Sequence, residues 1–322
     1  MVNKVAKTIY AEKYRPQTLD EVIGQPIPVK YIKQYIKNDD IPHMLFAGLP
    51  GTGKTTVAKA LAKDLYGESW RDYFTEINAS DDSKVENIRT TVKDLAQARA
   101  CGRNYRIIFF DEAEYLSTSS QAALRRIVEK YSSICRFIFS CNYPERMIDP
   151  IKDRCVIFRF TAISPDDMLP TLKKICESER IDIHDSALST LATVSDGSMR
   201  RAMNYLHQLK LSGQTDIDNQ IIYEITGHVN KEDIKLMIRE CKTGSLEKVN
   251  EYIQMMLYDR AYSYREILIA MRDLIFKSTL PEKKKRDVLL RMVDTQYRIS
   301  VGSSEKDEML GLMIKVMEVF DD

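Results

Sequence analysis

The sequence predicts an α/β domain built on a parallel sheet of five strands, followed by two all-helical domains. Three observations predict it. Short apolar runs alternate with helical patterns up to about residue 160, and several of those runs are apolar almost without a break. From Ser164 onward the texture turns wholly helical. A chain of 322 residues exceeds one ordinary core and is long enough for two or three domains.

The strand candidates are HMLFAG (43–48), YFTEIN (73–78), RIIFFD (106–111), RFIFSC (136–141) and CVIFRF (155–160). Near-continuous apolar runs suit strands covered on both faces, the environment of a parallel sheet. Between them lie KTTVAKALAKDLYG, KVENIRTTVKDLAQA and SSQAALRRIVEKYSS, each of helix-compatible composition, so strand and helix alternate. SPDD (164–167) reads as a helix start, with serine at the N-cap, proline at the first helical position and aspartate at the third. Short helices punctuated by glycine run from there to Gly227, and longer helical segments fill the rest. The expected domains are 1–161, 162–227 and 228–322.

Composition narrows the class. With 44% hydrophobic and 30% charged residues the chain has the makeup of a soluble globular protein. No stretch approaches the roughly 18 uncharged apolar residues of a membrane span. The N-terminus, MVNKVAKTIY, has no apolar core of signal-peptide length, so a cytoplasmic location is expected. Six scattered cysteines with no CxxC pair fit reduced, packed thiols, and four histidines far apart in sequence make a metal cluster improbable. A net charge of +1 neither implies nor excludes a nucleic-acid partner, because local stripes matter more than the total.

GLPGTGKT, Gly48 to Thr55, matches the phosphate-loop pattern GxxxxGK[ST]. An apolar strand precedes it and an alanine-rich helix follows, which is the context the pattern requires. Gly48, Leu49, Pro50, Gly51, Thr52 and Gly53 form the loop, whose glycines would let the backbone turn its amides inward around the β-phosphate at the positive end of that helix. Lys54 would reach the β- and γ-phosphates, the Thr55 hydroxyl would enter a magnesium shell, and Thr56 continues the loop. IIFFDEAE (107–114) supplies the second half. An apolar strand ending in Asp111 puts a carboxylate beside phosphates and metal, and Glu112 would position or deprotonate an attacking water.

With these two motifs in place the chain resembles the AAA+ ATPases, and within them the clamp-loader small subunits of replication factor C in an archaeal-like form. The resemblance covers almost the whole chain. It rests on EKYRP (12–16), EVIGQ (21–25), PHMLFAGLPGTGKTT (42–56), EINASDD (76–82), FFDEAEYL (109–116), QAALRRIVE (121–129), CNYPERMIDPIKDRC (141–155) and GSMRRAMNYL (197–206). It implies an AAA+ P-loop core, a helical lid and an all-α collar, which agrees with the three zones. It implies ATP and magnesium as cofactors, and ATP hydrolysis coupled to loading a ring-shaped sliding clamp on primer-template DNA, with hydrolysis triggering release.

The resemblance also assigns residues. Tyr14, Arg15, Pro16 and Ile23 match base contacts, although YRP alone is only an extended segment set by Pro16. Asn142 matches sensor 1, beside Glu112 and the water. Arg200 matches sensor 2, a lid arginine on the γ-phosphate that would tie lid closure to ATP. Arg154 in PIKDRCVIF matches an arginine finger acting in trans on a neighbour's ATP; Asp153 stands where serine is usual and is placed to damp or orient it. Lys84 and Arg89, with Lys93, fall on one predicted helix and Gln121 and Arg125 on another. Residue type alone leaves these as solvated surface side chains, whereas the resemblance implies DNA-backbone contact or coupling across a subunit interface. Arg125 would then face either DNA or a neighbour's ATP. Ser83-Lys84 departs from the usual arginine-glycine, which weakens that assignment. Clamp contact is expected around 97–104.

The expected partners are a large subunit and further small subunits in a hetero-pentamer, the clamp, and DNA held by its backbone. Apolar residues in KVNEYIQMMLYDR and EMLGLMIKVMEVF exceed what a small lone helical domain needs. Whether they fill a core or face a neighbour is open on the residues alone, and the resemblance implies collars closed into a ring. Two other functions stay in view. A branch-migration motor shares the core but usually ends in a winged helix, and the region from 228 reads as helices instead. A nucleotide-binding scaffold without hydrolysis conflicts with the intact Lys54, Thr55, Asp111, Glu112 and Asn142.

Overall fold

Alternation of side chains along the strands organises the first half of the molecule. In the computed structural model, which describes residues 9–80 and 105–321 with side chains through Val319, five strands form one parallel sheet. They are β1 (Met44–Gly48), β2 (Phe74–Asn78), β3 (Arg106–Asp111), β4 (Cys135–Cys141) and β5 (Val156–Phe160), in the order β2-β3-β4-β1-β5. Each matches a strand expected from sequence to within a residue or so. Register aligns Asn78 with Asp111 and Ala47 with Cys141, so the carboxyl ends lie along one edge. Ligands of open α/β sheets bind at that edge.

Period-two burial gives the sheet two covered faces. Leu45, Ile108, Phe110, Phe137 and Phe139 pack with Leu124, Ile127 and Val128 of the helix α3 (Thr118–Tyr131) on one side. Met44, Phe46, Ile107, Phe109, Ile138 and Phe158 pack on the other with α1 (Pro26–Asn38) and α2 (Lys54–Tyr66). Phe110 and Phe139 stack across β3 and β4 with centroids 5.2 Å apart, a contact beyond what area burial alone supplies. Burial also pushes the thiols of Cys135 and Cys176 up to about 11, so they remain protonated at neutral pH.

Three further helices follow: α4 (Pro165–Glu179), α5 (Asp185–Val194) and α6 (Met199–Ser212). The helix start read from SPDD is realised. Ser164 accepts the Asp167 amide at 3.1 Å, Pro165 takes the first position, and the Asp167 carboxylate takes the Ser164 hydroxyl at 2.8 Å. These helices belong with the sheet to one compact unit, residues 1–215. The helix expected over KVENIRTTVKDLAQA, with Lys84, Arg89 and Lys93, and the expected clamp contact at 97–104 lie outside the described residues.

The second unit, 216–322, carries α7 (Asn219–Thr226), α8 (Lys231–Thr243), α9 (Leu246–Gln254), α10 (Tyr264–Lys277), α11 (Glu282–Ser300) and α12 (Glu305–Asp321). Val249, Ile253 and Met256, and Met309, Leu312, Met313 and Val316, are buried in its core. Most apolar residues of the two segments with surplus apolar content are therefore used internally, because six helices in a hundred residues demand that much interior. An apolar stripe is exposed elsewhere: Leu290, Val293, Tyr297 and Val301, spaced three, four and four along and just past α11, each about two-thirds exposed. The opposite face of α11, Val288, Met292, Thr295 and Ile299, is buried. No helix among the described residues is long and apolar enough to cross a membrane.

One partly buried group makes stability depend on pH. His43 accepts the Phe137 amide at Nδ1, 3.1 Å away, and burial, reinforced by Arg136, lowers its pKa from 6.5 to about 4. The unfolded chain therefore binds the proton more readily between those values. Stability contributed by neutral His43 is complete above about pH 6.5 and is lost as pH falls toward 4, by at most about 3 kcal/mol. Urea titrations at several pH values should show this slope, and His43→Asn, which keeps an acceptor without the titration, should flatten it.

Candidate active site

The phosphate loop leaves β1 with three glycines at positive φ, Gly48, Gly51 and Gly53, before α2 begins at Lys54. Gly51 shows why glycine is required. At φ 79° a Cβ there would lie 2.0 Å from Ser198 Oγ, so only glycine lets the start of α6 close onto the loop. Gln25 fixes the loop from below. Its buried amide donates to Thr52 O (3.2 Å) and Thr161 O (2.8 Å) and accepts from the Thr161 amide.

Beside this loop opens a cleft of about 890 Å³, mouth included. Pro50 to Thr56, Asp111, Glu112, Asn142, Arg200, Arg15, Pro16 and Ile23 all line it, with Ala11, Val22, Ser140, Ile163, Met199 and Met203. Of the expected base contacts, Tyr14 is missing from this lining. Its hydroxyl instead bonds to Glu179 at the end of α4. Gly48 and Leu49 serve the site through their carbonyls.

Lys54 is the centre. It is 7% exposed, and its ammonium donates to Gly48 O (2.7 Å), Leu49 O (2.9 Å) and Asn142 Oδ1 (2.9 Å). Burial pushes its pKa below the usual lysine value, with Asp111 opposing. Thr55 Oγ1 donates to Asp111 Oδ2 at 2.8 Å, placing a hydroxyl and a carboxylate together at the mouth of the loop. Asp111 Oδ1 accepts the Glu112 amide at 3.1 Å, and Glu112 itself adopts φ 55°, a left-handed conformation that costs a non-glycine residue about 1 kcal/mol or more. That turn aims the Glu112 side chain into the cleft instead of along the strand.

Glu114 is a site residue that the sequence reading did not single out. It is 5% exposed, and its Oε1 accepts both the backbone and the side-chain nitrogen of Asn142, each at 2.9 Å. With its amide nitrogen taken, Asn142 turns its oxygen toward Lys54. The signal was present: an acid two residues after the Asp-Glu pair, in a turn that must pack under the next strand.

Gln121, on α3, is buried and its amide joins the turn after β3 to the loop that leads to Arg154. It donates to Leu116 O and Arg146 O, both at 3.1 Å, and accepts the Ile148 amide at 2.9 Å. Arg154 lies outside the cleft, pairs with Glu129 and donates to Pro150 O at 2.6 Å. Among the described residues Asp153 forms no ion pair with it; the carboxylate beside the guanidinium is Glu129. Arg125 has a buried Nε without a partner among the described residues.

A parallel five-stranded sheet with a phosphate loop, an acid-tipped β3 and a capping set of helices defines an AAA-type ATPase. Family comparisons agree along the chain. The ATPase family associated with various cellular activities (AAA) matches 44–162, the RCF1/5-like AAA+ ATPase lid domain matches 171–211, and the replication factor C C-terminal domain matches 229–315. Replication factor C small subunits from Methanococcus maripaludis and Picrophilus torridus are each 38% identical, covering 95% and 96% of this chain and 98% and 96% of theirs. The one from Halobacterium salinarum is 36% identical over 96% of this chain and 95% of its own. The chain belongs to the replication factor C small-subunit family. Among solved structures, the Thermotoga maritima RuvB Holliday junction branch migration motor shares the fold (TM-score 0.55, 17% identity, 80% of this chain and 90% of that one).

The Glu114–Asn142 contact yields a direct test. Glu114→Met removes the acceptor at similar volume and should lower kcat for ATP hydrolysis about tenfold or more with a much smaller change in ATP affinity. In an Asn142→Ala background the same change should add little, which a double-mutant cycle reads.

Proposed function

We propose that this chain is a clamp-loader small subunit. With a large subunit and further small subunits it forms a five-membered ring that opens a sliding clamp and loads it on primer-template DNA, ATP hydrolysis triggering release. The observation that carries this reading is the joint one: identity over nearly the full length to replication factor C small subunits, with every catalytic position of the phosphate site filled.

Residue roles follow from the cleft. Lys54 and the loop amides bind the β- and γ-phosphates. Thr55 and Asp111 hold magnesium: a hydroxyl and a carboxylate 2.8 Å apart are hard oxygen donors, and magnesium commonly takes one or two protein ligands and fills its shell with water and phosphate. The ion would supply charge neutralisation at the phosphates. Glu112 accepts the proton of the attacking water, and Asn142, held by Glu114, presents an oxygen that orients it. Arg200 reads the γ-phosphate from the start of α6. Arg15, Pro16 and Ile23 flank the base.

Arg154 acts on the neighbouring subunit's ATP. Its pairing with Glu129 does not oppose this, because both side chains are at least one-third exposed and such pairs are worth about 0–1 kcal/mol. Arg125, without a carboxylate among the described residues, faces the same interface or DNA phosphates. Lys84 and Arg89 contact the DNA backbone. The exposed stripe on α11 supports collar assembly, since apolar patches of that kind mark interaction surfaces.

A second reading, a branch-migration motor, has the fold likeness to RuvB in its favour and nothing more specific. Beyond residue 228 the described residues are helical, without the strands of a winged helix.

Steady-state ATP hydrolysis by the assembled ring should rise when clamp and primed DNA are added together. Arg154→Ala should cut that rate by at least tenfold while ATP still binds, and mixtures of Arg154→Ala with Lys54→Ala chains should recover hydrolysis at a subset of interfaces. A rate indifferent to both clamp and DNA would rule the loader reading out.

A further inference from the structure

The segment that flanks the base has two sides. On the turn of helix Tyr10–Lys13 and the residues after it, Ala11, Arg15 and Pro16 face the cleft. Tyr10, Lys13 and Tyr14, spaced three and one apart, share the opposite side. All three converge on one carboxylate, Glu179, the last residue of α4. The Tyr14 hydroxyl and the Lys13 ammonium donate to its Oε1, and the same carboxylate, after burial, raises the pKa of the Tyr10 hydroxyl.

The surroundings make this cluster firm. Tyr10 is 4% exposed and stacks on His207 of α6 with centroids 4.5 Å apart and planes 18° apart. Tyr14 meets Tyr10 edge-on, and its hydroxyl lies 3.1 Å from Ser178 Oγ. The Glu179 side chain is only 15% exposed. Burial alone would raise its pKa, but the bonds from Lys13, Tyr14 and Tyr10 hold it below the usual carboxylate value, so it stays charged where it sits. Charge-assisted bonds of this sort are about twice as strong as neutral ones. The same α6 that stacks on Tyr10 sends Met199, Arg200 and Met203 into the cleft.

We propose that Glu179 is a positioning residue that fastens the base-flanking wall of Ala11, Arg15 and Pro16 to the helices α4 and α6, and thereby sets selectivity for adenine. This rests on the reading of the cleft as an ATP site. Among the described residues the wall is tied to the phosphate-loop helix by one long bond, Arg15 Nη1 donating to Thr56 Oγ1 at 3.5 Å, and it has no strand of its own in the sheet. Its distance from the α6 residues across the cleft is fixed by the Glu179 cluster, so the slot for the base keeps one width. Tyr14 then serves the base indirectly, through Glu179, and phosphate binding is independent of the cluster because Lys54 and its carbonyls are held by β1 and β4.

The test is equilibrium binding of ATP, GTP and inorganic tripolyphosphate by the full chain and its variants, with Lys54→Ala as the reference for the phosphate loop. Glu179→Ala should weaken ATP on the order of tenfold, the weight of one or two such bonds. It should narrow the preference for ATP over GTP by a similar factor and leave tripolyphosphate within about twofold. Tyr14→Phe should weaken ATP less, and should add nothing in the Glu179→Ala background. Equal losses for tripolyphosphate and ATP would show a general effect on the fold and overturn the proposal, as would an unchanged ATP preference or an additive Tyr14 effect. Glu179→Gln, the milder change, is read by the same criteria if the alanine variant does not fold. A wild-type chain that binds no ATP, or binds it equally after Lys54→Ala, would sink the ATP reading itself; the outcomes above leave that reading standing.

Discussion

A buried ammonium must be surrounded by oxygen, and the site follows from how this chain meets that demand at Lys54. Two of its acceptors are carbonyls of the loop it belongs to, which bends the loop back over its own helix. The third is Asn142, at the end of β4, which Glu114 holds from the turn after β3. One cation thus ties together the carboxyl ends of β1, β3 and β4. The sheet order that places β1 beside β4 is what brings those ends within hydrogen-bond reach.

The cleft's other walls come from elements far along the chain and are held by a few close approaches. Gly51 and Ser198 bring the loop and α6 to the distance where no side chain fits between them. Gln25 locks the loop to Thr161, just past β5. The Tyr10–Lys13–Tyr14 face is tied to Glu179. In the Gln25 and Glu179 contacts the polar groups find partners in another element, so neither amide nor carboxylate is left as an orphan.

Outward-facing features complete the picture of a chain built to work beside others. Arg154 stands outside its own cleft, on a segment that Gln121 fixes through two backbone hydrogen bonds, at Arg146 and Ile148. Its partner Glu129 is exposed enough that the pair exchanges readily with another anion. On α11 the apolar stripe faces solvent while the opposite stripe serves the core.

Local patterns were legible because their causes are local. Five strand candidates became five strands; in β1, β3 and β4 burial on both faces leaves little choice of composition, whereas the edge strands β2 and β5 keep exposed residues. Gly48 to Thr55 became a phosphate loop because positive φ at its glycines is a property of the residue itself, and SPDD became a helix cap for the same kind of reason. The sequence by itself determined the sheet, the loop and the acid-tipped strand, and so the class of chemistry. Tertiary structure decided which side chains stand together. It moved Tyr14 from the cleft to Glu179, 165 residues away, gave Arg154 the carboxylate of Glu129 instead of its neighbour Asp153, recruited Glu114 to turn Asn142, and consumed most of the surplus apolar residues of the last domain in its own core. The reason is common to all four: a hydrogen bond or a packed methyl depends on where two distant backbones cross, and spacing along one chain carries no record of that.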